Sequence, residues 1–259
     1  MLASTVSPDQ VVATKASDIA RSLLPVGMKR RIKRAVPPRL YRFVDPNWHR
    51  GAVGGLWDEL GKLQLDFLLA RDLRPEHYLL DVGCGSLRGG VHFIRYLEPG
   101  HYYGIDRNGE RLEAGRTVEL PRYGLTEKRP VLERVDDFAV ERLGREFDYA
   151  VAQSVFTHLP SEAIALCLRN VAKVLVPGGR FFATYNERTG DGPDRVDRSE
   201  LAYDKDPIFR YDFASLAELA DGTGLVPERI GDWGHPRGQQ MVLFTNPHGF
   251  RGRPGRESR

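Results

Sequence analysis

YLLDVGCGSLRGG, Tyr78 to Gly90, is an apolar run that ends in Asp81 and breaks into a turn with four glycines in eight residues. A buried parallel strand reads this way when its carboxyl end opens into a ligand crevice. Gly83 and Gly85 let the backbone approach a ligand and take φ angles that a Cβ forbids. HYYGID, His101 to Asp106, is a second short strand ending in an acid, 25 residues beyond Asp81. An acid at that tip is placed to receive the two hydroxyls of a ribose. Two strand tips, two acids and a glycine turn predict a nucleoside-binding half-fold.

Departures from the dinucleotide pattern G-x-G-x-x-G narrow the ligand. Gly83 and Gly85 fit, but the last position is Arg88, and Gly89 comes one residue late. Asp81 would set a negative charge against a pyrophosphate, whereas it suits a ligand that carries a cation. LLDVGCGS followed by GID resembles the first two motifs of class I S-adenosylmethionine-dependent methyltransferases. That cofactor has a sulfonium and an amino group where a dinucleotide has phosphates. Leu87 stands where the family's D-x-G-x-G-x-G has its third glycine, so Gly89 and Gly90 are expected to provide the close helix approach. EFDYAVAQSVFTHLP, Glu146 to Pro160, resembles the family's fourth-strand motif. KVLVPGGRFFATYN, Lys173 to Asn186, resembles its helix end, Pro-Gly-Gly turn and fifth strand.

The resemblance implies an α/β fold: a Rossmann-like seven-stranded sheet, mostly parallel with an antiparallel last strand, and helices on both faces. It implies S-adenosyl-L-methionine as cofactor, held around Asp81, Gly83, Cys84, Gly85, Asp106 and Arg107 and at the strand exits by Gln153 and Ser154. Asp137 and Phe138 follow a short β-like segment, where the family commonly places a group that meets the adenine. Cys84 reads as a small filler of the turn. Arg88 either clamps the cofactor's carboxylate with two parallel bonds or makes a surface ion pair. Gln64 lies seven residues after Trp57 on one face of a helix expected within Arg50 to Arg71, which carries Leu60, Leu63, Phe67 and Leu68 at helical spacing and ends before Pro75. It either meets the cofactor's amino-acid end or is a surface residue.

Length and composition fit one enzyme domain with extensions: residues 1–44 a basic, partly flexible N-terminal extension, 45–245 the methyltransferase domain with a lid or insertion at about 186–211, and 246–259 a flexible basic tail. Arg21 to Val44 holds eight basic residues and no acid, while the whole chain is only +3, so the remainder is acidic on balance. Interleaved apolar residues make the basic stretch a candidate contact for an anionic membrane, a strip for nucleic acid, or a solvated extension packed on the domain. Pro25, Pro37 and Pro38 break any single long helix. The chain has no membrane-spanning apolar run and no secretory core, and Cys84 and Cys167 form neither a disulfide framework nor a metal-ligand spacing. The expected location is the cytoplasm, with peripheral contact with an anionic membrane through residues 21–44 as an alternative to a solvated extension. Metal-independent chemistry is expected.

Methyl transfer from a sulfonium is an in-line displacement that depends on alignment, and a hydroxyl acceptor also needs a base. His158, four residues after Ser154, is the first candidate, against a cap of the next helix. His235 in DWGHPRGQQM, with Arg237 beside it, is the rival; otherwise it shapes the turn. Arg188, Arg195, Arg198 and Arg210 in the insertion face either an anionic acceptor or solvent. Gln-Ser-Val-Phe at the fourth-strand exit is unlike the signature of base-amino methyltransferases, which disfavours nucleic acid as partner. The expected acceptor is a small or lipid-linked metabolite methylated on oxygen, a sugar hydroxyl among the candidates, with carbon or nitrogen left open. Two other readings stand beside it: a non-catalytic cofactor- or partner-binding module on the same fold, and a nicotinamide oxidoreductase, which Asp81 and Arg88 disfavour.

Overall fold

The computed structural model describes residues 45, 47–190, 194–197 and 207–248. Residues 1–44, Arg198 and the tail beyond 248, all read above, lie outside the described residues. The described chain divides between Ala52 and Val53 into two units. The first contributes one short helix, α1 (Trp48–Ala52), in which the Trp48 ring meets the His49 ring edge-on at 5.9 Å.

The second unit opens with α2 (Trp57–Leu69), introduced by the left-handed residues Gly54, Gly55 and Leu56 and carrying Asp58 and Glu59 where the helix dipole favours acids. Leu60, Phe67 and Leu68 are buried, so the periodicity in the sequence marks the core face. The helix is shorter than Arg50 to Arg71 because the Gly54–Gly55 turn interrupts it. The remaining strands and longer helices are β1 (Leu79–Val82), α3 (Gly90–Tyr96), β2 (Tyr102–Asp106), α4 (Gly109–Ala114), β3 (Val131–Arg134), β4 (Phe147–Ala152), α5 (Ser161–Ala172), β5 (Leu175–Tyr185), β6 (Arg195–Val196), β7 (Ile208–Phe209), α6 (Phe213–Glu218), β8 (Val226–Asp232) and β9 (Gln240–Thr245).

Seven strands form one sheet in the order β3-β2-β1-β4-β5-β9-β8, with β6 and β7 paired separately in the insertion. The five strands from β3 to β5 are parallel, and β9 runs antiparallel to both β5 and β8. Strand order reverses at β1, between β2 and β4, which places a crevice at the carboxyl ends of these strands. β5 is longer than the sequence reading, because it continues through Pro177-Gly178-Gly179, where Gly178 donates to the Asn246 carbonyl at 2.6 Å.

Alternate strand residues feed two cores, as the two-residue period requires. Leu80, Val82, Ala150 and Ala152 pack with Ile164, Leu168 and Val171 of α5 and Leu216 of α6. Leu79 and Val151 pack on the other face with Phe67 and Leu68 of α2 and Val91, Phe93 and Ile94 of α3. Asp81 shares the parity of Leu79, so it turns toward the α2–α3 face. Among the described residues no helix is long and apolar enough to cross a membrane.

Candidate functional site

The glycine turn after β1 is built around three left-handed residues, Gly83 (φ 73°), Gly85 (φ 58°) and Leu87 (φ 75°). A Cβ on Gly85 would stand 2.6 Å from Val53 Cγ1, and one on Gly83 would stand 2.5 Å from Val155 Cγ2. Leu87 keeps the left-handed backbone of the glycine it replaces, a conformation that costs an L residue about 1–2 kcal/mol. Its side chain is fully buried, and the neighbours that give it room are glycines. A Cβ on Gly90 would meet Leu87 Cδ2 at 2.8 Å, and one on Gly115 would meet Leu87 Cγ at 2.9 Å. Gly90 thus accommodates Leu87 and the Tyr102 hydroxyl, while Gly89 accommodates Gln64, whose Oε1 would stand 2.5 Å from an added Cβ.

Asp106 closes the turn from the second strand. It is buried; its Oδ2 accepts the Gly85 N–H at 2.9 Å and its Oδ1 accepts the Asn108 N–H at 2.7 Å. Two carboxylate oxygens retain lone pairs after these bonds, enough for further donors. Asp81 is buried beside it and accepts the Tyr102 hydroxyl at 2.6 Å. Burial pushes its carboxyl up to about 7, opposed by the Tyr102 bond and reinforced by Asp106. Such a group gains from an incoming cation. Cys84 is buried, and its Sγ fills the space left by Gly104, 2.8 Å from where a Cβ would stand. Burial, then Asp81 and Asp106, push its thiol well up, away from thiolate chemistry. Arg107 is exposed beside Asp106, and its carbonyl accepts from Arg134 Nε at 3.2 Å.

The structure does not gather every sequence candidate. Asp137 is exposed, and its Oδ1 is taken by the Ala139 N–H at 3.0 Å and by Arg142 at 3.1 Å, so the carboxylate caps its own turn. Phe138 takes φ 56° and leans half-buried on the core of the α5 face. Gln64 is buried rather than a surface residue, and its Nε2 donates to the Leu60 carbonyl at 3.1 Å.

At the exits of β4 and β5 a polar cluster appears that the sequence reading found only in part. Ser154 is left-handed (φ 58°) and its N–H donates to Thr184 Oγ1 at 2.7 Å. Gln239 Oε1 collects Thr184 Oγ1 at 2.9 Å, Ser154 Oγ at 3.0 Å and Gln153 Nε2 at 3.2 Å. Gln153 Oε1 is buried with no partner. Thr184 and Gln239 were missed because strand pairing, not local sequence, brings β9 beside β5; the doubled glutamine before the last strand was the available signal.

His158 ends a short turn after β4, where its Nδ1 lies 3.2 Å from the Pro207 carbonyl. A carbonyl partner assigns the ring proton to Nδ1 and leaves the lone pair on Nε2. His235 has the opposite tautomer. Its Nδ1 accepts the Arg237 N–H at 3.2 Å, which puts the proton on Nε2, and Nε2 is buried with no partner. Burial, then Arg88 and Arg237, lower its pKa to about 4, so at neutral pH the ring is uncharged and its Nε2–H is a hydrogen-bond donor. Arg88 makes no surface ion pair among the described residues: it is buried, and its Nη1 donates to the carbonyls of Val53 and Gly55. In the insertion Arg188 pairs with Asp194 and Asp212, and Arg195 with Asp197.

A cavity of about 420 Å³ opens at the opposite, amino end of the strands, lined by Arg74, His77, Asp148 and Arg180 among others. Its polar groups are spent within the fold: Asp148 accepts the Tyr78 N–H at 2.8 Å, and Arg180 donates to the Arg71 carbonyl at 2.9 Å.

Residues 80–181 match the sequence profile of a methyltransferase domain. A ubiquinone biosynthesis O-methyltransferase of Hahella chejuensis (strain KCTC 2396) is 32% identical over 133 residues, which are 49% of this chain and 51% of that protein. The chain therefore spans about half the length of that curated relative. Among solved structures, an S-adenosylmethionine-dependent methyltransferase from Clostridium acetobutylicum superposes with a TM-score of 0.57 at 12% identity, covering 79% of this chain and 97% of that one. CalS10, an S-adenosylmethionine-bound amino pentose methyltransferase from Micromonospora echinaspora, superposes at 0.55 with 17% identity over 75% and 93% of the two chains. Over residues 80–181 the chain is thus similar to a methyltransferase domain, and its sheet and helices share the fold of these solved S-adenosylmethionine-dependent enzymes.

Proposed function

We propose that the protein is an S-adenosylmethionine-dependent methyltransferase that methylates an oxygen of a small or lipid-linked metabolite, with His158 as general base. The observation that carries the cofactor is the pair of buried acids around the glycine turn: Asp106, locked to Gly85 N at 2.9 Å, and Asp81, whose carboxyl burial has raised. Asp106 would take the ribose hydroxyls, and Asp81 would face the cationic portion. The unpartnered buried Gln153 Oε1 offers one more acceptor to an ammonium or hydroxyl. When bound, S-adenosylmethionine supplies an electrophilic methyl group.

The remaining work falls to the chain's own side chains. Alignment of a hydroxyl with that methyl supplies much of the rate. With the ring proton assigned to Nδ1, Nε2 is the basic nitrogen of His158 and the atom that would take the hydroxyl proton as the oxygen attacks. Oxygen as the methylated atom draws support from the curated relative, an O-methyltransferase by name, and a sugar as acceptor class from CalS10, described as an amino pentose methyltransferase.

Labelled S-adenosylmethionine offered with a panel of sugar and phenol acceptors tests the reaction. Once an acceptor is found, His158→Ala is expected to lower turnover about 10²–10⁴-fold, with loss of the acidic limb of the pH profile. Turnover near that of the parent across pH would remove His158 from this role. Binding separates the cofactor classes beforehand. S-adenosylhomocysteine should bind the parent chain and bind far more weakly to Asp81→Ala and Asp106→Ala, and a preference for NAD would sink the reading.

A further inference from the structure

The loop between β8 and β9 and the turn after β1 each hold a buried hydrogen-bond donor that is not used. His235 and Arg88 are only 5% and 6% exposed, yet His235 Nε2 and Arg88 Nε are buried without partners. Leaving a buried donor unpaired costs about 1–3 kcal/mol, more for a charged group, so two in one place call for an acceptor. Arg237 stands exposed at the rim, where its guanidinium donates to the Gly54 carbonyl. The charges acting on His235 are Arg88 and Arg237, and Arg237 in turn acts on Arg88. A Cβ on Gly54 would stand 3.0 Å from Arg237 Nη1 and 3.7 Å from Arg88 Nη1, so both guanidiniums reach one glycine, and the Arg237 N–H is bonded to the His235 ring. Asp81 is the acid that acts on Arg88, and it is already bonded to Tyr102.

The geometry points to an oxyanion pocket formed by Arg88 Nε, His235 Nε2 and the Arg237 guanidinium, taking a carboxylate or phosphate oxygen of a bound ligand. A neutral imidazole with its proton on Nε2 suits this task, because it donates without needing to be charged. The arginines hold the Val53, Gly54 and Gly55 carbonyls with their other N–H groups, which fixes the floor of the pocket. A methyl-transfer site has two sources for such an oxyanion: the amino-acid end of the cofactor and an acidic acceptor. The naming of those sources rests on the methyltransferase reading; the pocket itself does not.

The test uses the full chain with ¹⁵N-labelled histidine, the His235 signals being assigned by their loss in His235→Gln. Acetate and inorganic phosphate are titrated into the chain alone, then into its complex with S-adenosylhomocysteine. A saturable shift of the His235 Nε2 resonance is expected, weakened about tenfold or more in Arg237→Ala, an exposed position whose loss spares the core. If S-adenosylhomocysteine produces the shift and abolishes the acetate response, while 5′-methylthioadenosine, which has no carboxylate, does not, the oxyanion is the cofactor's. If acetate or phosphate still titrates His235 in the complex, the oxyanion is the acceptor's. A His235 signal that moves no more than those of surface histidines in every arm overturns the pocket. Should S-adenosylhomocysteine fail to bind while acetate still shifts His235, the function falls and the pocket stands.

Discussion

Asp81 sets a pH dependence whose sign can be worked out. Its carboxyl titrates near 7 in the folded chain because burial disfavours the charge, against about 3.9 when exposed. Between those values the folded state holds the extra proton, so this group's contribution to stability is present at low pH and is lost as pH rises through about 7. Binding of a cation runs the other way, since it requires the carboxylate. The affinity for S-adenosylmethionine should be level above about pH 8 and fall about tenfold per unit below 7. Calorimetric titration over that range checks it, and a flat profile would show that Asp81 does not carry the charge contact. The type and position of Asp81 and Asp106 were legible in the sequence, because an acid closing an apolar run before glycines is a local signal. The tautomers of His158 and His235 were not, because each depends on one backbone partner, Pro207 or Arg237, set by the loop geometry. The same holds for Asp137, whose carboxylate is claimed by a turn two residues on.

Among the elements, β4, β5 and β9 meet in a cluster that no single motif contains. Thr184 Oγ1 both accepts the Ser154 N–H and donates to Gln239, so it fixes a left-handed residue at the strand exit and ties the β8–β9 loop to it. Thr184→Val keeps the shape and leaves the half-buried Ser154 N–H without its acceptor. A loss of about 1–3 kcal/mol in denaturant unfolding is expected, together with weaker cofactor binding. Unchanged affinity would confine the cluster to a structural role. The strands were readable from their apolar runs and the bounding turns. The bulge that lets β5 run through Pro177 to Gly179 was not, because proline and glycines locally signal a turn, and only pairing with β4 and with Asn246 makes them strand. Leu87 likewise broke the glycine pattern, yet the turn survived because Gly90 and Gly115 surrendered the volume.

At the scale of the whole molecule, charge is distributed unevenly along the chain. The eight basic residues of Arg21 to Val44 stand against an otherwise acidic body, and apolar residues lie between them. We propose that this stretch, outside the described residues, attaches the chain to anionic membranes. Each Lys or Arg near such a surface contributes on the order of 1 kcal/mol, screened by salt. The full chain should co-sediment with phosphatidylserine vesicles at low salt, release at high salt, and lose the interaction when residues 1–44 are deleted. Sedimentation that survives the deletion would move the contact to the catalytic body. Trp233 offers a way to follow the crevice itself by light. Its indole donates to the Gln239 carbonyl at 3.0 Å, and its ring lies 5.5 Å from that of His235 and 5.3 Å from that of Phe67 on α2. One fluorophore thus touches the polar cluster, the buried imidazole and the covering helix at once. With Trp48 and Trp57 replaced by phenylalanine, its emission becomes a single-site optical gauge of what enters the crevice, free of any attached dye.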